Sequence, residues 1–166
     1  MDAELSVTES FRLLFVCTGN TCRSPLAEAI ARRALGTLGW SNVEVRSAGV
    51  ATVDGGSASE GSAGVALRHG LDLSHHRSTV VTPELLKWAD LVLTMSPRHL
   101  ARVVEEGAGD KAELLAAFAG AGDPLGAPEA VPDPFGGADE EYEATFTLLE
   151  ELVERALRRL APIVAP

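Results

Sequence analysis

The stretch Val16-Cys17-Thr18-Gly19-Asn20-Thr21-Cys22-Arg23-Ser24-Pro25 decides how the rest of this chain is read. An apolar run, Leu13-Leu14-Phe15-Val16, leads into it, and an alanine-rich segment opening Leu26-Ala27-Glu28-Ala29-Ile30 leads out. A short apolar run ending in turn residues is the pattern of a buried parallel strand. Pro25 suits a first helical turn, where a missing N–H costs nothing. The stretch therefore predicts a strand over 13–17, a tight loop, and a helix over 24–38 closed by Gly39. A thiol stands at the strand end, with an arginine and a serine following it after five residues.

Those residue types in that order describe a pocket for a phosphate-like dianion. Backbone N–H groups gathered at a helix N-terminus bind phosphate. Gly19 lets the backbone fold tightly. Asn20 tolerates a left-handed conformation and can tie the loop with its side chain. Arg23 offers a planar fork that grips two phosphoryl oxygens. Thr18, Gly19, Asn20, Thr21, Cys22 and Ser24 complete the binding loop. The donors that attract phosphate also stabilise a thiolate at Cys17, and Ser24 can donate to that sulfur. Attack on phosphorus gives a cysteinyl-phosphate that water later cleaves. A structural cysteine before an ordinary strand-to-helix turn is the alternative, and the complete array weighs against it.

The leaving group then needs an acid. The segment 119–137 is rich in Gly, Pro and Ala, and a loop of that length in a compact domain usually has a job. It contains Asp133, held between Pro132 and Pro134 and followed by the apolar Phe135, which is counted with the substrate-binding set. A partly desolvated aspartate can donate a proton and then act as base toward water. A plain turn aspartate is the other reading.

The remaining pattern alternates strands with helices. Strands are expected over 43–48, 91–95 and 112–118. Helices are expected over 58–69, from 82 onward with Thr82 as cap and Pro83 as first residue, over 96–106, and over 139–160. This is a single-domain, doubly wound α/β chain, with a domain over 11–162 after a flexible extension over 1–10. A length of 166 residues with 46% hydrophobic content gives a real core. The first ten residues lack a basic region and an apolar stretch, so they read as a frayed end and not as a secretory signal. No run approaches the ~20 apolar residues of a membrane span. A net charge of −10 argues against nucleic-acid and anionic-membrane partners.

Cys17 and Cys22 are the two cysteines, too close to frame a disulfide-stapled fold. No histidine stands at a metal-ligand spacing from them, so no metal site is expected, and a cytoplasmic, reducing compartment suits the thiol. Cys22 is either a small inward-pointing residue or a partner that traps oxidised Cys17 as a reversible disulfide. His75 is read as supporting the loop through a hydrogen bond, for instance to Asn20, against the plainer reading of a polar loop residue. His69, His76 and His99 are read as ordinary polar or core residues, and Trp40 and Trp88 as core or cap.

The loop Cys17 to Ser24, the following Pro25-Leu26-Ala27-Glu28, Ser47-Ala48-Gly49 and Asp133-Pro134 together resemble the low-molecular-weight protein tyrosine phosphatase family, over roughly 12–160. The resemblance implies a four-stranded parallel sheet flanked by helices, with no metal and no cofactor. It also implies Cys17 as nucleophile, Arg23 as phosphate clamp, Asp133 as general acid and a phosphorylated protein as substrate. Within the family the chain is most similar to the bacterial protein arginine phosphatase branch. That branch carries threonine where this chain has Thr21, whereas tyrosine-directed members carry an aliphatic residue. Asp133-Pro134-Phe135-Gly136-Gly137 and the Ser96 that follows Met95 point the same way. A hydroxyl at Thr21 can accept from a guanidinium, while an aliphatic wall suits a phenyl ring. The reading is thus a phosphoarginine phosphatase. The alternatives are a phosphotyrosine phosphatase of the same mechanism, an arsenate reductase lacking the further cysteines such enzymes use, and a non-catalytic phosphopeptide-binding module.

Overall fold

The computed structural model describes residues 10–120 and 130–166. The expected extension over 1–10 and the middle of the 119–137 segment lie largely outside the described residues. Four parallel strands form one sheet in the order β2-β1-β3-β4: β1 Phe11–Cys17, β2 Val43–Gly49, β3 Leu91–Thr94 and β4 Ala112–Leu114. The helices are α1 Arg23–Leu38, α2 Glu60–Arg68, α3 Pro83–Trp88, α4 Pro97–Val103, α5 Leu115–Ala119 and α6 Asp139–Val164.

Side chains on a strand alternate between faces, so one central strand feeds two cores. Leu13 and Phe15 of β1 join a core with Leu26 and Ile30 of α1 and with Phe146, Leu149 and Val153 of α6. Leu14 and Val16 point the other way, to Leu86 of α3 and Val103 of α4. Both faces are thereby covered, which is why β1 reads as an unbroken apolar run.

Local chemistry sets the ends. Gly39 closes α1 in a left-handed conformation, φ 76°. Ser59 and Thr82 cap α2 and α3 by accepting from Ser62 N and Leu85 N. The helix expected over 96–106 is α4, followed by an irregular turn over Val104–Ala108 in which Gly107 takes φ 113°. The final helix runs beyond the expected 160 to Val164, through Pro162.

The expected strand over 112–118 is corrected. Only Ala112–Leu114 pairs with β3, and Leu115–Ala119 turns into α5. Leu115-Ala116-Ala117-Phe118-Ala119 is an apolar run dominated by the strong helix formers Ala and Leu, and Leu115 and Phe118, three apart, are both buried against the core that α6 shares.

The strand order reverses direction between β1 and β3, and such a crevice at the strand C-termini is where α/β sheets bind ligands. β1 ends there with Cys17. Beside it, Gly49 ends β2 directly opposite Cys17. A methyl group on Gly49 would lie 2.6 Å from Thr18 O and 2.9 Å from Asn20 N. Those are backbone atoms of the loop, so they must move. Gly49→Ala is expected to lower kcat/KM by about 10²-fold, the scale of a 1 Å misplacement, while the far-UV circular dichroism spectrum stays native. Paired kinetics and spectroscopy check this, and undiminished turnover would mean that the loop geometry is not what limits the reaction.

Candidate active site

Between β1 and α1 the chain wraps around a pocket of about 240 Å³ lined by Cys17, Thr18, Gly19, Thr21, Cys22, Arg23, Asp133 and Phe135. Its floor is Cys17, whose Sγ lies 2.9 Å from Ser24 Oγ. Asn20 Nδ2 donates to the same hydroxyl at 2.8 Å. The Ser24 proton is therefore directed to the sulfur, since its other acceptor, Ala48 O, stands at 3.5 Å. Ser24 is thus the hydroxyl in hydrogen-bond contact with the sulfur.

Asn20 is the tie of the loop. It is fully buried at φ 56°, the one non-glycine residue with positive φ among the described residues. Its Nδ2 also donates to Ser47 Oγ at 2.9 Å, and its Oδ1 accepts from Thr79 N at 2.9 Å. Ser47 Oγ in turn donates a hydrogen bond to Glu28 Oε1 at 2.6 Å. Loop, β2 and α1 are thus joined by one chain of bonds.

Arg23 is 5% exposed. Nη1 donates to Val131 O at 3.0 Å, and Nη2 to Thr18 Oγ1 at 3.3 Å. Nε is buried and has no partner among the described residues. A buried cationic donor is costly to leave unpaired, and a phosphoryl oxygen in the pocket is the acceptor that would satisfy it.

Asp133 Oδ2 stands 3.6 Å from Arg23 Nη2 at the pocket mouth. Val131 places it there: its N–H donates to Met95 O at 2.8 Å, while its carbonyl accepts from Arg23. Asp133 is not desolvated as expected; its side chain is 51% exposed. It sits on the rim, with Oδ1 accepting from Phe135 N at 3.1 Å, and a bound substrate would have to supply the cover. Phe135 is exposed beside it.

The supporting role expected of His75 falls to His76. A turn closed by His76 N to Leu73 O at 3.0 Å aims the His76 ring inward, where Nε2 donates to Asn20 O at 2.7 Å. His75 is exposed and lines a separate groove of about 520 Å³ with Arg32, Arg46 and Asp72. His99 is no ordinary core residue either. It is buried, with Nε2 2.8 Å from Thr18 Oγ1. Burial, then the charges of Arg23 and Arg98, push its pKa down to about 4, against the opposing pull of Asp133. Cys22 is buried and unpaired with Cys17, its Sγ 3.2 Å from Ser59 Oγ. Trp88 is a platform for Arg46, whose guanidinium lies 4.4 Å above its ring. Among the described residues no cluster of His, Cys, Asp and Glu could hold a metal, and no helix is long and apolar enough to cross a membrane.

The family model for low molecular weight phosphotyrosine protein phosphatase matches residues 12–163. The chain belongs to this family. The phosphatase is 39% identical over 152 residues to the protein-arginine-phosphatase of Geobacillus stearothermophilus, covering 90% of this chain and 96% of that one. It is 33% identical to the low molecular weight protein-tyrosine-phosphatase Wzb of Salmonella typhi, over 84% of this chain and 87% of that one. Among solved structures, a YwlE arginine phosphatase mutant with a phosphorylated active-site serine superposes with a TM-score of 0.84 at 35% identity, over 92% of this chain and 97% of that one. The phosphatase is accordingly a hydrolase acting on phosphorylated protein. His76 and His99 escaped the sequence reading. The one available signal was position: His99 follows the C-terminal end of β3, at the point where the strand order reverses.

Proposed function

We propose that this chain is a protein arginine phosphatase whose domain spans 11–162 and works in a reducing cytoplasm. Thiolate Cys17 attacks phosphorus in line, while Arg23 and the amides of Thr18 to Ser24 hold the phosphoryl oxygens and Ser24 steadies the sulfur. Asp133 protonates the departing nitrogen, then takes a proton from the water that cleaves the cysteinyl-phosphate. The scheme uses only this chain's side chains and backbone amides, with water. The relative with a phosphorylated active-site serine supports a phosphoenzyme step.

The observation that carries the substrate assignment is Thr21 in the wall of the pocket, between the nucleophile and the clamp. Phosphoarginine brings a guanidinium next to the phosphoryl group, and its N–H groups need an acceptor there. Two relatives named protein-arginine-phosphatase, at 39% and 37% identity, support the same reading.

Turnover of phosphoarginine and phosphotyrosine peptides should be measured on wild type and Thr21→Ile. Wild type is expected to favour phosphoarginine. Loss of the acceptor leaves N–H groups unpaired, at about 1–3 kcal/mol, so the ratio of kcat/KM values should swing toward phosphotyrosine by roughly 5–150-fold. A wild type active on phosphotyrosine and inert to phosphoarginine would establish the tyrosine-directed reading instead, and a ratio that does not move would remove Thr21 as the determinant.

A further inference from the structure

His99 stands on the first turn of α4, across the crevice from the phosphate loop. It is 2% exposed, and its Nδ1 is buried with no partner among the described residues. Near neutral pH one ring nitrogen carries the hydrogen. If Nδ1 carried it, a buried N–H would go unpaired, the less tolerated kind of orphan. If Nε2 carries it, the ring donates to Thr18 Oγ1 at 2.8 Å and leaves only a lone pair on Nδ1. Arg23 Nη2 donates to the same oxygen at 3.3 Å. Thr18 Oγ1 then accepts twice, which uses both its lone pairs. Its own hydrogen must point elsewhere, and Thr18 is an exposed wall of the pocket.

We propose that His99 is a positioning residue of the phosphate pocket: its Nε2–H turns the Thr18 hydroxyl into a fixed donor toward the phosphoryl group and keeps Arg23 Nη2 beside it. This rests on the phosphatase reading above and deepens it. His99 touches no reacting atom. Thr18 lines the pocket, and a preset donor there strengthens as charge grows on the phosphoryl oxygens. The charged groups facing His99 are Arg23 of the loop, Arg98 of its own helix and Asp133 of the acid segment. The two arginines and burial outweigh the aspartate, so the ring stays neutral and the donor stays set across the working pH range.

His99→Leu removes the donor, and His99→Gln keeps an N–H at similar reach. With p-nitrophenyl phosphate, His99→Leu is expected to lose about ten- to hundredfold in kcat with little change in KM, and His99→Gln to recover most of it. Thr18→Val should lose as much, and His99→Leu with Thr18→Val no more than either alone. Losses that multiply, or a glutamine no better than leucine, would overturn the proposal. Long-range ¹H–¹⁵N spectra of wild type, with and without inorganic phosphate, need neither turnover nor a folded variant. They should show a neutral Nε2–H ring from pH 5 to 8; an Nδ1–H ring or a titration in that range overturns the proposal. A wild type without turnover on any phosphorylated substrate would overturn the phosphatase reading and leave this spectrum to decide the tautomer.

Discussion

Cys17→Ser is expected to abolish turnover, by at least about 10⁴-fold, while the pocket keeps its affinity for inorganic phosphate. A neutral hydroxyl is a far weaker nucleophile than a thiolate, and a phosphate ester formed on it resists the water that cleaves a cysteinyl-phosphate. The atom in contact with Cys17 Sγ is Ser24 Oγ, whose proton already points at it. His99, the nearest imidazole in function, is turned to Thr18. The phosphate-binding parts are untouched, since Arg23 and the loop amides make no bond to the sulfur. Steady-state kinetics and calorimetric titration with inorganic phosphate check both halves. More than one per cent residual activity would remove the sulfur from its assigned role.

Asp133→Asn should separate substrates by their leaving groups. The amide keeps the shape and can still accept from Phe135 N, a bond made at 3.1 Å by Oδ1. It cannot hand over a proton. An arginine side chain departs as a strongly basic nitrogen and needs that proton, so kcat is expected to fall by about 10²–10³-fold on a phosphoarginine peptide. A nitrophenolate departs almost unaided, so p-nitrophenyl phosphate should lose much less. Equal losses on the two substrates would show that the carboxylate, 3.6 Å from Arg23 Nη2, serves the pocket by charge alone.

What the sequence disclosed and what it withheld follow from the range of each interaction. The strand, loop and helix around Cys17 to Ser24 were legible because their determinants are local: Asn20 adopts φ 56° within the loop it ties, and Ser24 reaches Cys17 across one turn. The cap Thr82 and the stop at Gly39 are equally local, whereas the cap Ser59 was not read from the sequence. The segment 112–118 failed because a short apolar run carries no period to separate strand from helix. His75 and His76 are neighbours in sequence, and only the turn closed on Leu73 O selects which one faces the loop. His99 owes its burial to packing between elements, 81 residues from the threonine it contacts.

Arg23 belongs to two machines at once. One edge of its guanidinium faces the pocket; the other is bolted, through Nη1, to the backbone of Val131, two residues before the proposed acid. The arginine is therefore the keystone between anion site and acid segment, and the cost of replacing it cannot be read as the worth of a phosphate contact. Kinetic loss at position 23 will mix a weaker grip on the anion with a misplaced proton donor, and mutant cycles that pair it with Asp133 will fall short of additivity for that reason alone.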